Sequence, residues 1–260
     1  ATYEIGSLDA DGVVRRIPLL VIEAWAVENG VSSGILPHMN VIAAALYFGI
    51  SPSDLLLDFS KKVIEMDSQK IPFDNSGYMH LWYYGKGPKI FKEVPFYDAL
   101  NGKYEKGTFK DKVVLVGYTA TAKGLYDLRI TPFSSEEAGV YVHATAIENM
   151  ISGDFVKSLT PFYNALLVVI IMVGITPLMR YRSKVFNTIL VFLPVVYLTV
   201  SYVLFLRHIY VTTFYPILGL VVIGSTKVLG DFLAENAEKR RMREFLYRYV
   251  PDRVADNLLS

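Results

Sequence analysis

Three long apolar stretches in the second half of the chain constrain its structure more than any other feature. They run from Pro161 to Met179, from Val185 to Leu206 and from Ile209 to Gly230. A helix needs about 20 predominantly apolar residues to cross the hydrocarbon core of a bilayer. A core helix of a soluble protein can contain one such run, but three in succession favour membrane spans. The sequence therefore predicts an all-α transmembrane bundle of three helices within residues 158–230.

The composition changes near Lys157. The whole chain is 52% hydrophobic, with a positive mean hydropathy, but residues 1–157 mix charged, polar and apolar side chains as a soluble domain does. The net charge of +1 does not favour a nucleic acid as partner, and the lack of cysteine excludes disulfides, thiolate metal sites and a cysteine nucleophile. We expect a folded domain over residues 1–157, the membrane region over 158–230 and a polar tail over 231–260.

Cationic residues determine the predicted orientation, because cytoplasmic loops beside membrane segments are rich in Lys and Arg. Arg180, Arg182 and Lys184 lie in the first connection, and four further cations lie within residues 239–243. The second connection is only Arg207-His208, a tight turn on the opposite side. We therefore expect a multi-pass protein of the cell (inner) membrane, in contact with lipid, with residues 1–157 extracytoplasmic and the tail cytoplasmic. Export of the first domain implies a further N-terminal membrane helix or signal segment that precedes this sequence.

Residues 1–157 have the pattern of an α/β domain around a mixed sheet. Turns are predicted at Asp9–Gly12 and, as a hairpin turn, at Asp74–Gly77. A strand pair is expected within residues 13–27, and further strands at 63–66, 70–73, 79–84 and 112–117, the last an apolar run buried on both faces. A helix is predicted over Ile35–Gly49, and a strand that passes into a helix over Gly139–Met150. The apolar face of the first helix is predicted to comprise Leu36, Met39, Ile42, Ala43, Leu46 and Tyr47.

The candidate residues of a sensor cleft are Thr119, Thr121, Asp127, Thr131 and His143. Most of them follow the apolar run at 112–117, and ligands of open α/β sheets bind at the carboxyl ends of strands. The loop 117–124 has neither a phosphate-loop nor a dinucleotide motif, so a structural turn is the alternative. His143 has no partner at metal-ligand spacing, which leaves a structural histidine or a pH sensor. Residues 134–137 suggest a solvated acidic loop, and no metal site, cofactor or catalytic residue is predicted in these 260 residues.

Several segments of the first domain together resemble the second subtype of CHASE domain, an extracellular sensor domain associated with cyclases and histidine kinases. These segments are residues 9–19, 109–120, 127 with 131–133, 139–144 and 147–149. The resemblance implies an extracytoplasmic sensor for an unknown ligand or protein, followed by about three membrane helices. It also implies a membrane helix and a strand ahead of residues 9–12, which this sequence lacks.

Only the tail indicates which activity the sensor controls. Residues 245–254, together with 257–259, resemble the transducing element that precedes class III nucleotide cyclase domains. The signal-transducing residues would be Phe245, Tyr249, Val250, Pro251 and Val254. This resemblance implies a homodimeric adenylate cyclase that makes cyclic AMP from ATP, with Mg²⁺ or Mn²⁺ bound in a domain beyond Ser260. A membrane histidine or serine/threonine kinase and a non-catalytic membrane-anchored interaction protein are the alternatives.

Overall fold

A computed structural model describes residues 9, 11–22, 35–67, 69–119, 127–159, 161–177 and 184–249, in two compact units, 1–157 and 158–260. In the first unit the helices are α1 (Met39–Tyr47), α2 (Gly87–Ile90), α3 (Phe96–Leu100) and α4 (Gly139–Ser152), with a 3-10 turn at Pro52–Asp54. The strands are β1 (Arg16–Pro18), β2 (Leu20–Ile22), β3 (Ile35–Pro37), β4 (Leu56–Asp58), β5 (Val63–Met66), β6 (Gln69–Pro72), β7 (Tyr78–His80), β8 (Leu128–Thr131) and β9 (Ser134–Ala138), with β10 (Lys157–Ser158) at the boundary.

The strands of the first unit form small antiparallel sheets. β1 pairs with β7, β2 with β3 and β8 with β9, and β4, β5 and β6 form a three-stranded sheet. A single parallel bridge joins Val13 to Ile130. The mixture of strands and helices is as predicted, but within the described ranges the strands do not form one mixed sheet. Most of the strands contain only three or four residues, and successive strands differ in the strands with which they pair.

Two strand pairings differ from the prediction. β1 and β2 do lie within residues 13–27, but they do not pair with each other: β1 pairs with β7 and β2 with β3. The predicted turn at residues 74–77 forms, with the Gly77 N–H donating to the Asp74 carbonyl at 3.0 Å. The strands that it joins, β6 and β7, pair with β5 and β1, so the turn does not close a hairpin. Local turn chemistry identifies where the chain reverses, but it does not identify the partner of each strand.

The predicted strand at residues 112–117 is not formed. The chain is irregular there, and the Val114 and Val116 side chains are 50% and 79% exposed. Gly117 passes so close to α4 that a Cβ atom on it would lie 2.7 Å from the Val140 Cβ. An apolar run becomes a strand only where a neighbouring strand satisfies its backbone, and none of the described strands pairs with this run.

Helix α1 buries a different face from the predicted one. Its buried residues are Asn40, Val41, Ala44 and Ala45, whereas Leu46 and Tyr47 are exposed. The helix ends in a Schellman motif around Gly49, whose φ of +73° favours glycine; Gly49 donates to the Leu46 carbonyl and Ile50 to the Ala45 carbonyl. α1 packs against α4, and the two alanines allow a close approach that larger side chains would prevent.

Helix α4 extends over all of Gly139–Ser152, so the strand expected at its start is wrong; the strand is β9, which precedes it. The helix ends at Gly153, in the left-handed region with φ of +77°. Its side chains Val142, Ala146 and Met150 belong to the buried core, together with Ile17, Ile64, Ile71 and Met79 of the sheets and Leu19 between β1 and β2. α4 therefore shares one buried core with the small sheets and α1.

Buried Asn149 ties α4 to the chain that follows β7. Its Oδ1 accepts from the Trp82 N–H at 2.8 Å, and its Nδ2 donates to the Trp82 carbonyl at 3.0 Å. Trp82 has left the sheet, so the Asn149 amide replaces the backbone partner that a strand would provide. The Tyr84 hydroxyl also contacts Asn149 and donates to Asp154 at 3.0 Å.

The opening turn of the first unit is fixed by ion pairs. Gly12, with φ of +78°, donates to the Asp9 carbonyl at 2.7 Å, as the turn composition predicts. Arg15 binds Asp11 through two hydrogen bonds of 2.9 and 2.7 Å. Arg16 contacts both Asp9 and Asp74, and thereby joins this turn to the turn before β7.

The second unit contains helices α5 (Pro161–Ile175), α6 (Lys184–Leu206) and α7 (Phe214–Tyr249), with a short strand β11 (Ile209–Tyr210) between α6 and α7. Ile175 of α5 and Leu220 of α7 are buried together, with Leu193 of α6 packed against them. The third predicted span started at Ile209, but the helix starts at Phe214 and continues without interruption beyond Gly230 to Tyr249. Lys227, which is 8% exposed, donates to Asp231 one turn later at 2.6 Å.

One helix among the described residues is long and apolar enough to cross a membrane, over Phe214–Phe245. Shorter apolar segments occupy Phe162–Ile175 and Phe192–Leu206. Large apolar side chains on all three helices are exposed, among them Phe162, Ile170, Val195, Tyr202, Val221 and Val228. So much exposed apolar surface is unusual for a soluble monomer and indicates contact with lipid or with another protein.

Replacing Asn149 by alanine tests the link between α4 and Trp82. We expect the free energy of unfolding to fall by roughly 3 kcal/mol, because two backbone groups of Trp82 lose their partner at a buried site. Asn101→Ala is the matched control, since the exposed Asn101 amide makes only a local bond to Tyr97 and its loss is expected to cost about 0.5 kcal/mol or less. Urea unfolding of the full chain, followed by tryptophan fluorescence, measures both. Equal losses in the two variants would contradict the assignment.

Candidate functional site

The candidate site lies where α1 meets α4 and starts from His38. This residue is fully buried and is the N-cap of α1, because its Nδ1 accepts a hydrogen bond from the Asn40 N–H at 3.3 Å. The His38 N–H donates to the Leu19 carbonyl at 2.8 Å, which fixes the start of the helix beside the core. A cap that accepts through an imidazole nitrogen requires that nitrogen to be unprotonated.

His143 of α4 completes a polar bridge to α1. Its Nδ1 lies 3.0 Å from Oδ1 of the fully buried Asn40. The His143 and His38 rings are stacked, with centroids 5.8 Å apart and planes inclined by 14°. Among the described residues, Nδ2 of Asn40 has no hydrogen-bond partner, a rare state for a buried amide. Two histidines and one asparagine thus form a polar cluster inside an otherwise apolar contact between helices.

An ion pair lies beside this cluster. Arg129 of β8 binds Asp127 at 2.8 Å, and the Asp127 carbonyl accepts from the Gly139 N–H at 2.7 Å at the start of α4. Both charges act on His143: Asp127 favours its protonated form and Arg129 opposes it. We refer to His38, Asn40, Asp127, Arg129 and His143 together as the histidine cluster.

Both imidazoles are held in the neutral form. The pKa of His38 is lowered to about 4, because burial removes the imidazolium from water and because His143 is close. The pKa of His143 is also lowered, first by burial and then by Arg129, against the opposing effect of Asp127. The cluster can therefore gain protons only if its surroundings change or if the solution becomes acidic.

The structure brings two of the five predicted cleft residues together, Asp127 and His143. Thr131 is buried, but its hydroxyl accepts from the Ser134 N–H at 3.2 Å, and this bond belongs to the β8–β9 turn. Thr119 is exposed and takes no part in the contacts of the histidine cluster. Thr121 lies outside the described residues. The assignment of these residues to a ligand-binding cleft stays a prediction.

Sequence reasoning missed His38, Asn40 and Arg129. The available signal was two polar residues, His38 and Asn40, at the start of an apolar helical stretch, where they suit an N-cap and the first turn. That signal does not reveal His143 as the partner, because 103 residues separate it from Asn40. The spacing argument for His143 considers only residues close in the sequence, and in three dimensions the His38 ring stacks on it.

A second group, the buried Glu137 and Tyr141 with the exposed Glu93, lies around the start of α4. Residues 134–138 form β9 and not the solvated loop that we predicted, and Glu137 is only 5% exposed. Its carboxylate accepts from the Gly87 N–H at 3.2 Å, while burial raises its pKa. The Tyr141 hydroxyl donates to Glu93, and burial raises the pKa of this phenol as well. These contacts fix α2 against α4, and we assign them a structural role.

Of the predicted signal-transducing residues, the structure places Phe245 and Tyr249 on α7, with the Phe245 side chain exposed. Val250, Pro251 and Val254 lie outside the described residues. Within the described part of the chain, no group of three or more His, Asp or Glu side chains is arranged to hold a metal ion.

The cap formed by His38 can be tested with two substitutions. We expect His38→Asn to be more stable than His38→Ala by about 1 kcal/mol, because an asparagine at the N-cap retains an acceptor for the Asn40 N–H and alanine does not. Urea unfolding of the full chain at pH 7.5 measures this difference. Both variants lose the imidazole ring, so the difference isolates the cap. Equal stabilities would mean that His38 does not cap α1.

The chain matches the CHASE2 domain over residues 3–178, which is more than half of its length. The matched segment extends beyond the first compact unit and includes α5. No curated protein and no solved structure matches the chain. The match agrees with the resemblance found in the sequence, and the chain belongs to the CHASE2 family of sensor domains.

Proposed function

We propose that this chain is the sensor and membrane region of a receptor adenylate cyclase, which transmits an extracytoplasmic signal to a cytosolic domain that makes cyclic AMP from ATP. The observation that carries the proposal is the continuity of α7, which follows the CHASE2 sensor and joins an apolar half to a charged half in one helix of 36 residues. A helix without a break is a stiff connection between a membrane segment and whatever follows it.

In this proposal α5, α6 and α7 are all membrane helices. Their exposed apolar side chains support lipid as the surrounding solvent, and Pro194 within α6 is tolerated in such helices. α5 has only 15 described residues, about 22 Å of helix. That length is shorter than the hydrocarbon core, and the predicted span continues to Met179, beyond the described residues.

The charged half of α7 supports a cytoplasmic position for the C-terminal tail. Lys239, Arg240, Arg241 and Arg243 follow the apolar half, and all four are exposed. Lys239 also pairs with Glu235 at 2.9 Å across one helical turn. Cations next to a membrane span favour the cytoplasmic side and the anionic lipids there. The sensor domain is then extracytoplasmic.

A second copy of the chain is the proposed partner in the membrane and beyond it. Phe232, Leu233, Met242 and Phe245 of α7 are between 56% and 63% exposed in the half of the helix that carries the charges. Apolar side chains at this spacing suit pairing with an equivalent helix in a homodimer. A class III cyclase domain also works as a pair, and it would itself hold the Mg²⁺ or Mn²⁺ that its chemistry needs.

The orientation can be tested by labelling, because the chain contains no cysteine. Lys61→Cys and Arg241→Cys each introduce one exposed thiol, since the Lys61 side chain is 71% exposed and Arg241 is also exposed. We expect a membrane-impermeant maleimide to label Cys at position 61 in spheroplasts, and Cys at position 241 only after permeabilisation. Labelling of both positions from the same side would contradict the proposed topology.

The output can be tested in cells that lack adenylate cyclase. We expect the full-length gene that encodes this chain to restore cyclic AMP synthesis in isolated membranes, and deletion of residues 1–157 to change the rate by several-fold. Protein abundance in the membrane is the control. Membranes that contain the protein but make no cyclic AMP would contradict the cyclase proposal. Autophosphorylation in the same membranes would favour a kinase output, and neither activity would favour an interaction protein.

A further inference from the structure

The contact between α1 and α4 combines tight packing with a polar cluster whose state depends on protons. The packing uses small side chains, Ala44 and Ala45 of α1 and Ala146 of α4. Leu46 and Tyr47, the large residues at the end of α1, are already exposed. Separation of α1 from α4 therefore uncovers less apolar surface than separation of an ordinary amphipathic helix would.

Protonation of His38 acts directly on α1. The neutral ring accepts from the Asn40 N–H, whereas an imidazolium has two N–H donors and no acceptor. The cap would be lost, and a positive charge would face the positive end of the helix dipole. The same proton would lie close to the His143 ring, which is stacked at 5.8 Å, so that charging both rings adds a repulsion between α1 and α4.

We propose that the stacked pair of His38 and His143 is a proton-operated latch between α1 and α4, closed while both rings are neutral and opened by acidification. The latch is a property of the sensor domain alone, and only its use as a signal rests on the proposed function. The stimulus of this CHASE2 domain would then be the external proton concentration.

The charged groups that face the pair determine how strongly the latch responds. α1 contains no charged residue, and the charged groups that act on His143 are Asp127 and Arg129, from the start of β8. Asp127 stabilises a proton on His143, while Arg129 opposes it. His38 responds chiefly to its own burial and to His143. Burial and the neighbouring His143 both oppose a charge on His38, so its protonation is unfavourable in the closed state.

The direction of the pH effect follows from the pKa values. A histidine whose pKa is lowered in the closed state binds protons more tightly once it is released to water. The closed state is therefore most stable above about pH 6.5, the ordinary histidine value, and loses stability as the pH falls toward 4, the pKa of His38. For His38 alone, linkage between a pKa of about 4 in the closed state and about 6.5 in water gives a weakening of the latch on the order of 70-fold at pH 4.5.

Hydrogen exchange of the α1 amides tests the latch without reference to any output activity. The full chain in lipid nanodiscs is compared at pH 7.5 and pH 4.5, with rates corrected for the intrinsic pH dependence of exchange. We expect the corrected exchange of α1 to be at least tenfold faster at pH 4.5, and that of β5 to change much less. Unchanged α1 protection at the lower pH would overturn the proposal.

Two variants assign the response to the pair. His38→Asn with His143→Asn keeps an acceptor for the cap and a donor for Asn40 but cannot bind the proton, so α1 should exchange at the same corrected rate at both pH values. His80→Asn is the matched control, since burial also lowers the pKa of His80 but this residue lies in β7, and the acid response of α1 should persist. An acid response in the double variant equal to that of the parent protein would overturn the latch.

A second measurement covers the case in which the double variant does not fold. The histidine ring signals of the parent chain, followed by NMR from pH 7.5 to 4, should titrate together with the exchange of α1. Titration of His38 near pH 6.5 with α1 still protected would overturn the latch. An opening of α1 without any change in cyclic AMP in membranes would leave the latch standing and contradict only its use by a cyclase.

Discussion

The close contact between α1 and α4 is the constraint on which the sensor domain depends. α4 is the helix against which the small sheets pack, and α1 reaches it because its inner face carries alanines. Polar side chains buried in such a contact need hydrogen-bond partners within the protein. His38, Asn40 and His143 provide one cap and one bridge, while Nδ2 of Asn40 has no partner among the described residues. In the proposed latch, the position of α1 is therefore coupled to the protonation state of the two imidazoles.

Asn149 has the same role on another face of α4. There the polar bridge consists of neutral amide and backbone groups, and pH does not change it. α4 is thus held on one side by bonds that are insensitive to protons and on the other by bonds that depend on them. A domain built in this way can loosen α1 while its remaining core stays packed, which is the behaviour expected of a region that responds to its surroundings.

The sequence predicted the features that follow from local chemistry or from long periodic patterns. The turn at Asp9–Gly12, the end of α1 at Gly49 and the existence of three apolar helices are in the structure. Features that depend on distant partners were not predictable: the pairing of β1 with β7, the inward face of α1 and the exposure of Val116. In each of these the local apolar pattern was misleading or incomplete, because the neighbour that buries or pairs with the segment lies far away in the chain. His143 was among the residues predicted for the sensor cleft, whereas His38 and Asn40 required the fold.

Because α7 is uninterrupted, its length determines the orientation of whatever follows it. Each residue added to or removed from a straight α-helix turns everything beyond it by about 100° and shifts it by about 1.5 Å. α7 is one helix over its 36 residues, with no loop within it that would absorb such a change. The angular phase between its apolar half and its charged half is therefore fixed by the number of residues between them, and only insertions close to whole turns would preserve that phase. If α7 transmits the signal as proposed, the number of residues between Phe214 and Tyr249 affects that signal independently of which residues they are.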